Sequence, residues 1–315
     1  MRVASFRKWF FGISALLVLL SAASLISFQL KPGIDFTGGA AITATYETDV
    51  TSSRVVDALT RAGQPDAIVQ GSGGNTFFIR LGILELDERD AAGNVVRRGD
   101  ESRVRDALAE AGTVEIGSFD SVSGIIGSEN VRNATIAVIV ASLVILVYVT
   151  WAFRRVPSPF RYGVAAVVAL VHDVFIVLGV FSVLGETINL EVNAMFITGV
   201  LTTIGYSVND TIVVFDRLRE NVARNAGVST RELVNLSVRE TIARSLNTSI
   251  TLIVVVVALL LFAGPSIRPL LYVLLAGVTV GTYSSIFIAS LLLVSWDEGE
   301  IGRFWRRVRF KRATA

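Results

Sequence analysis

Asp210 stands in the stretch Gly205-Tyr-Ser-Val-Asn-Asp-Thr-Ile-Val-Val-Phe-Asp-Arg-Leu-Arg-Glu-Asn221, within an apolar segment (192–215) long enough to cross a bilayer as a helix. A carboxylate in such a place is costly, which marks it as a functional position by default. The chemistry open to it is reversible protonation or cation binding. Helical spacing puts Gly199, Thr202, Thr203, Tyr206 and Asp210 on one face. In lipid such a small and polar stripe must face protein or water. The bland alternative is a packing seam in which Asp210 only accepts hydrogen bonds. His172-Asp173 lies in a second apolar segment, 162–184, where the pair either works with Asp210 as a relay or one member merely orients the other. Arg244 opens a further segment, 246–263, and basic residues at span ends commonly snorkel to water. Two carboxylates on neighbouring helices would also suit an intramembrane aspartyl protease. Such enzymes carry Gly-x-Gly-Asp at the second aspartate, and this chain has Ser207-Val-Asn-Asp210. One histidine and no cysteine exclude multi-histidine metal sites, thiolate chemistry and disulfides.

The elements that must position these groups are apolar and long. The 315 residues are 52% hydrophobic and 18% charged, poorer in charge than soluble domains. Six spans are expected, at roughly 10–30, 133–152, 162–184, 192–215, 246–263 and 269–295. The first resembles a signal peptide in its Arg2, Arg7, Lys8 flank and its Ser21-Ala-Ala23, but its apolar run exceeds a signal core, so a retained anchor is expected. Basic flanks set the orientation. Arg2, Arg7 and Lys8, then Arg154, Arg155 and Arg161, then Arg217 to Arg244, and then the tail from Arg303 fall on one side, which makes both termini cytoplasmic. Only Arg268 runs against this. The domains expected are 1–30 (cytoplasmic start and first span), 31–130 (extracytoplasmic), 131–296 (five further spans, with a cytoplasmic amphipathic helix near 229–244) and 297–315 (basic cytoplasmic tail). Residues 31–130 hold nine Lys/Arg against sixteen Asp/Glu, and the remainder twenty against eleven. That split fits two compartments and not a nucleic-acid surface.

Residues 31–130 read as strand (40–47), helix (52–62), strand (67–71), strand (76–83), helix (101–111) and strand (113–120), with a polar insertion at 87–99. Thr51 or Ser52 and Asp100 are the expected helix caps, and Gly63 and Gly112 the stops. Arg54-Val-Val-Asp-Ala-Leu-Thr-Arg-Ala-Gly63 echoes Arg103-Val-Arg-Asp-Ala-Leu-Ala-Glu-Ala-Gly112. Two such units in tandem predict a ferredoxin-like α+β domain. Overall the fold class is an α-helical membrane protein with six transmembrane helices plus this small domain. Gly33-Ile-Asp-Phe-Thr-Gly-Gly39 leads into it, with glycines that allow conformations barred to other residues.

Three blocks, Gly33–Gly39, Gly205–Asn221 and Arg239–Thr251, resemble the SecD/SecF family of the bacterial Sec protein-export machinery. With the order of spans, the resemblance covers nearly the whole chain. It implies the resistance-nodulation-division (RND) superfamily of proton-driven transporters, which pair two six-span halves about a pseudo-two-fold axis. This chain holds one half, so the resemblance implies a SecD-like partner. It also implies the SecYEG translocon with SecA, YidC and YajC as further neighbours, an unfolded preprotein and the lipid bilayer, with no nucleic acid. The implied role is use of the proton motive force to assist preprotein translocation at a late, extracytoplasmic stage, from the cytoplasmic (inner) membrane. It is not an enzyme's role and needs no cofactor beyond the driving ion, H⁺, with Na⁺ the alternative. The family's aspartate and arginine on the proton path map onto Asp210 and Arg244, and its His-Asp pair maps onto His172 and Asp173. Thr203, Tyr206 and Asn209 complete the candidate ion pathway. Gly33, Asp35, Gly38 and Gly39 form the candidate structural motif. A small-molecule or lipid exporter of the same superfamily and a passive scaffold are the competing expectations.

Overall fold

A computed structural model describes residues 3–85, 87–90, 95–225, 227–262, 264–300 and 302–303. They form two compact units, Met1–Lys31 with Ile136–Ala315, and Pro32–Thr135. A 3-10 turn (Val3–Phe6) leads into α1 (Arg7–Phe28).

The smaller unit follows. After the short α2 (Ile34–Thr37) come β1 (Gly39–Tyr46), α3 (Ser52–Arg61), β2 (Ile68–Gly73), β3 (Thr76–Leu81), β4 (Glu88–Arg89), β5 (Val95–Arg97), α4 (Asp100–Ala111) and β6 (Val114–Val122). The main sheet has the order β2-β3-β1-β6 with every neighbour antiparallel, and β4-β5 is a separate ribbon. The echoed sequence explains the core. Val55 and Leu59 of α3 and Val104 and Leu108 of α4, each pair four residues apart, are fully buried with Ile42 and Ile79 of the sheet. The Tyr46 hydroxyl donates to Leu108 O at 3.1 Å, and burial pushes its phenol up to about 12. The caps differ from expectation. Gly99 is the residue before α4, and Asp100 is already helical. Asp87 does the capping from a distance, accepting from Gly99 N at 2.8 Å and from the Ser102 hydroxyl at 2.6 Å. Thr51 precedes α3 but makes no side-chain cap bond. In the predicted polar insertion, residues 91–94 lie outside the described residues.

The chain continues as α5 (Gly124–Ala152), α6 (Pro159–Ile188), α7 (Ala194–Arg224), α8 (Thr230–Phe262) and α9 (Arg268–Tyr283). A π-helical segment (Ser284–Ala289) and α10 (Ser290–Asp297) continue α9 without a break. Among the described residues, five helices are long and apolar enough to cross a membrane: Val3–Phe28, Gly124–Ala152, Pro159–Ile188, Thr230–Phe262 and Arg268–Asp297. The fourth expected span, 192–215, lies in α7, a helix of 31 residues. It falls outside that set because Thr202, Thr203, Tyr206, Ser207, Asn209 and Asp210 dilute its apolar content. A second correction concerns 229–244. The separate amphipathic helix expected there is the first half of α8, which runs unbroken from Thr230 to Phe262. Arg217 of α7 bonds Glu240 at 2.7 Å, and Asn221 bonds Ser237 at 2.9 Å, so the polar half of α8 packs on α7. α5 also begins at Gly124, earlier than the expected 131–133. Most of the expected tail 297–315 lies outside the described residues.

Small residues set the helix seams of this larger unit. A Cβ added at Gly179 of α6 would strike Ser21 of α1. Ser24 donates to Gly179 O at 3.1 Å, and Ser182 donates back to Ser24 O at 2.8 Å. A Cβ at Gly199 of α7 would come within 2.8 Å of Val273 Cβ, and one at Gly277 of α9 would strike Thr203. At one end of the bundle Phe153 and Tyr162 stack, and Phe215 meets both rings edge-on. Arg7 bonds Glu298 and Glu300 at 2.6 Å each, which holds the Glu298 carboxyl below the usual carboxylate range.

Candidate functional site

α7 carries the chemistry on two faces. Tyr206 and Asp210, four residues apart, turn toward α8. Ser207 and Thr211, also four apart, turn toward α6 and the π segment. Asp210 is 7% exposed. Its Oδ1 accepts from the Ser245 hydroxyl at 2.6 Å, and its Oδ2 is buried with no hydrogen-bond partner among the described residues. Beside it the Tyr206 hydroxyl meets Ser249 Oγ at 2.9 Å, and Ser249 meets Thr282 of α9 at 2.5 Å. Arg244 is exposed on α8, within electrostatic range of Asp210, and makes no ion pair among the described residues.

On the other face Asp173 is 6% exposed and His172 8%. His172 Nδ1 lies 3.0 Å from Asp173 Oδ1, and Asp173 Oδ2 accepts from Ser207 and Ser284 at 2.7 Å each. Thr211 donates to Ser285 at 2.8 Å, and Ser285 donates to Ser207 O at 2.8 Å. The π turn lets the consecutive Ser284 and Ser285, both fully buried, reach α6 and α7 together. No hydrogen bond joins Asp173 to Asp210 among the described residues, so the pair does not form the proton-sharing dyad of an aspartyl protease. A cavity of about 10 Å³, room for about one water, touches Asp173, Thr203, Ser207 and Gly277.

The remaining candidates divide. Thr203 is buried and donates to Gly199 O, against Gly277. Asn209 is exposed and bonds to nothing among the described residues. Thr202, expected on the Asp210 face, is exposed and donates to Thr198 O at 2.7 Å. Sequence reasoning passed over Ser207, Thr211, Ser245 and Ser249. The four-residue spacings Ser207/Thr211 and Ser245/Ser249 were the available signal.

The glycine motif is positioned by conformation. Gly38 and Gly39 have φ of +75° and +124°. A Cβ at Gly38 would sit 2.8 Å from Gly124 N, and one at Gly39 2.5 Å from Leu81 O. Asn130 donates to Asp35 O at 2.9 Å, and Gly33 O accepts the backbone N–H groups of Phe36 and Thr37. The motif thus packs on the start of α5 and on β3, where only glycine fits.

Long apolar helices, buried carboxylates held by hydroxyl groups and a small α+β unit define a multi-pass membrane protein. The family described as protein export membrane protein SecD/SecF, C-terminal, matches residues 103–299, and the SecD/SecF GG motif matches residues 23–50. The chain is 39% identical over 314 residues to protein translocase subunit SecF of Thermobaculum terrenum, covering 97% of this chain and 96% of that one. It is 38% identical to SecF of Anaerolinea thermophila, over 96% of each. The crystal structure of SecDF, a translocon-associated membrane protein from Thermus thermophilus, superimposes with a TM-score of 0.78 at 32% identity, over 94% of this chain. The chain therefore belongs to the SecD/SecF family of protein-export membrane proteins, as a translocase subunit of the SecF/SecDF kind. It spans 38% of the length of that solved SecDF chain.

Proposed function

We propose that this chain is one six-span half of an RND-type complex with a SecD-like subunit, using the proton motive force to assist preproteins through SecYEG at a late stage. Asp210 is its ion carrier and Arg244 the adjacent cation. The observation that carries this reading is the state of Asp210, buried among helices with one oxygen on Ser245 and the other on nothing. A carboxylate so held has a vacant acceptor for a proton, and protonation removes its charge. Each charge crossing about 100 mV contributes about 2.3 kcal/mol, enough to bias helix packing. In this reading α7 is also a span, the fourth in chain order, which completes the six, its polar face covered by protein. Both termini are cytoplasmic, in the inner membrane, and the antiparallel β2-β3-β1-β6 sheet is a ferredoxin-like extracytoplasmic module. That strand order and its two helices, one after β1 and one after β3, support the last point. H⁺ is the proposed ion: among the described residues Asp210 has one oxygen on Ser245 and one buried without a hydrogen-bond partner. The test uses vesicles holding this chain, a SecD-like subunit and the translocon, with a preprotein halted midway. Under a proton gradient wild type is expected to finish transit faster, and Asp210→Asn to lose the gradient response while keeping its fold. An equal response from both would make Asp210 structural and favour a scaffold.

A further inference from the structure

His172 carries an atom that this reading leaves unused. Nδ1 lies 3.0 Å from Asp173 Oδ1, whereas Nε2 is buried without a hydrogen-bond partner among the described residues. The groups around Asp173 are donors. Ser207 and Ser284 each reach Oδ2 at 2.7 Å. Ser207 has an alternative in Ser285 Oγ at 3.4 Å. Ser285, however, directs its own proton to Ser207 O at 2.8 Å and already accepts from Thr211. Ser284 has a second acceptor in Gly281 O, at the longer distance of 3.2 Å. With both hydroxyl protons on Oδ2 and Asp173 ionised, the ring nitrogen facing Oδ1 is the N–H. The other nitrogen then presents a lone pair to the closed interior.

We propose that Nε2 of His172 is a second proton-binding atom of the larger unit, separate from Asp210, with Asp173 as the positioning residue that fixes the ring and stays ionised. In the step a proton from water forms the Nε2–H bond, no protein bond breaks, and the pair passes from net −1 to net zero. The arrangement follows the logic by which a buried carboxylate orients an imidazole and stabilises its cation. An Nε2–H needs an acceptor, and the conformation described offers none, so uptake of the proton is tied to a rearrangement of α6 against its neighbours. The other titratable groups on helices packed against α6 face elsewhere or lie at helix ends. On α7, Tyr206 and Asp210 bond Ser249 and Ser245 of α8. Tyr283 donates to Phe10 O. Arg7 and Lys8 begin α1, Arg268 begins α9, Asp297 closes α10, and the charged residues of α7 other than Asp210 start at Asp216, with Tyr272 early in α9.

The inference deepens the ion-coupled reading, but its test does not use transport. The chain has one histidine, so ¹⁵N-histidine labelling gives a single ring in the NMR spectrum. The full chain in lipid nanodiscs is titrated while circular dichroism follows its fold. The expected result is the Nδ1–H neutral tautomer at high pH, converting to the doubly protonated ring as pH falls with the fold intact. Asp173→Asn is expected to shift that conversion to lower pH, and Ser284→Ala, which removes one donor from Oδ2, to higher pH. A wild-type ring that stays neutral across the folded range overturns the proposal. So does an Nε2–H tautomer, which would place the shared proton on Asp173. The wild-type titration decides by itself, so misfolding of a variant does not rescue the idea. Its failure would leave the Asp210 reading standing, and a gradient response in Asp210→Asn would not alter the ring's titration.

Discussion

The two faces of α7 border the same functional group in opposite states, Asp173 of α6 on one and its own Asp210 on the other. Asp173, reached from the Ser207 side, has both oxygens engaged, one by a ring nitrogen and one by two hydroxyls. Asp210, four residues from Tyr206 on the α8 side, has one oxygen on Ser245 and one on nothing. Both are buried to nearly the same degree. Burial therefore does not distinguish them; satisfaction does. A carboxylate that has filled its acceptor sites is a fixed anchor, and one that has not is available for binding.

The comparison breaks most sharply on stability. Asp173→Leu strands three donors at once and is expected to cost about 3 kcal/mol, whereas Asp210→Leu strands only the Ser245 hydroxyl and should cost about 1 kcal/mol. Chemical denaturation in mixed micelles measures both, and equal losses would erase the distinction. Next in size is the seam. Gly277→Leu drives a side chain into Thr203 and should cost about 2 kcal/mol. Gly205→Leu, on a face with nothing within 4 Å, should leave the melting temperature in place. Smaller still, Ser285→Ala removes the link from Thr211 to Ser207 O and should cost about 1 kcal/mol by the same denaturation. At the bottom, Asn209→Ala is expected to change stability by less than about 0.5 kcal/mol, because its exposed side chain has no partner among the described residues.

Much of the fold could be read from residue order because it rests on local pattern. The echoed Val-x-x-Ala-Leu spacing carries the buried faces of α3 and α4, and Gly63 and Gly112 marked their ends. Misreadings arose where a distant partner decides. Asp87, twelve residues away, caps α4 in place of the adjacent Asp100. The polar residues from Arg239 to Arg244 looked like the border between two helices, yet Arg217 and Asn221 on α7 hold that stretch within one. The site divides the same way. Asp210, Asp173 and His172 were visible as costly residues in apolar runs. Which hydroxyls reach which carboxylate was not, since Ser284 and Ser285 gain their joint reach from a π turn that an α-helical periodicity does not anticipate.

The unbroken α8 has a mechanical consequence. Its 33 residues extend about 50 Å at ~1.5 Å per residue, well beyond the ~30 Å of a hydrocarbon core. Ser245, the residue that holds Asp210, sits near the middle of this rod, so it is placed like a fulcrum. A tilt of about 5° there swings an end some 25 Å away by roughly 2 Å, and loss of the Ser245 grip would be felt at both tips without any helix having to unwind.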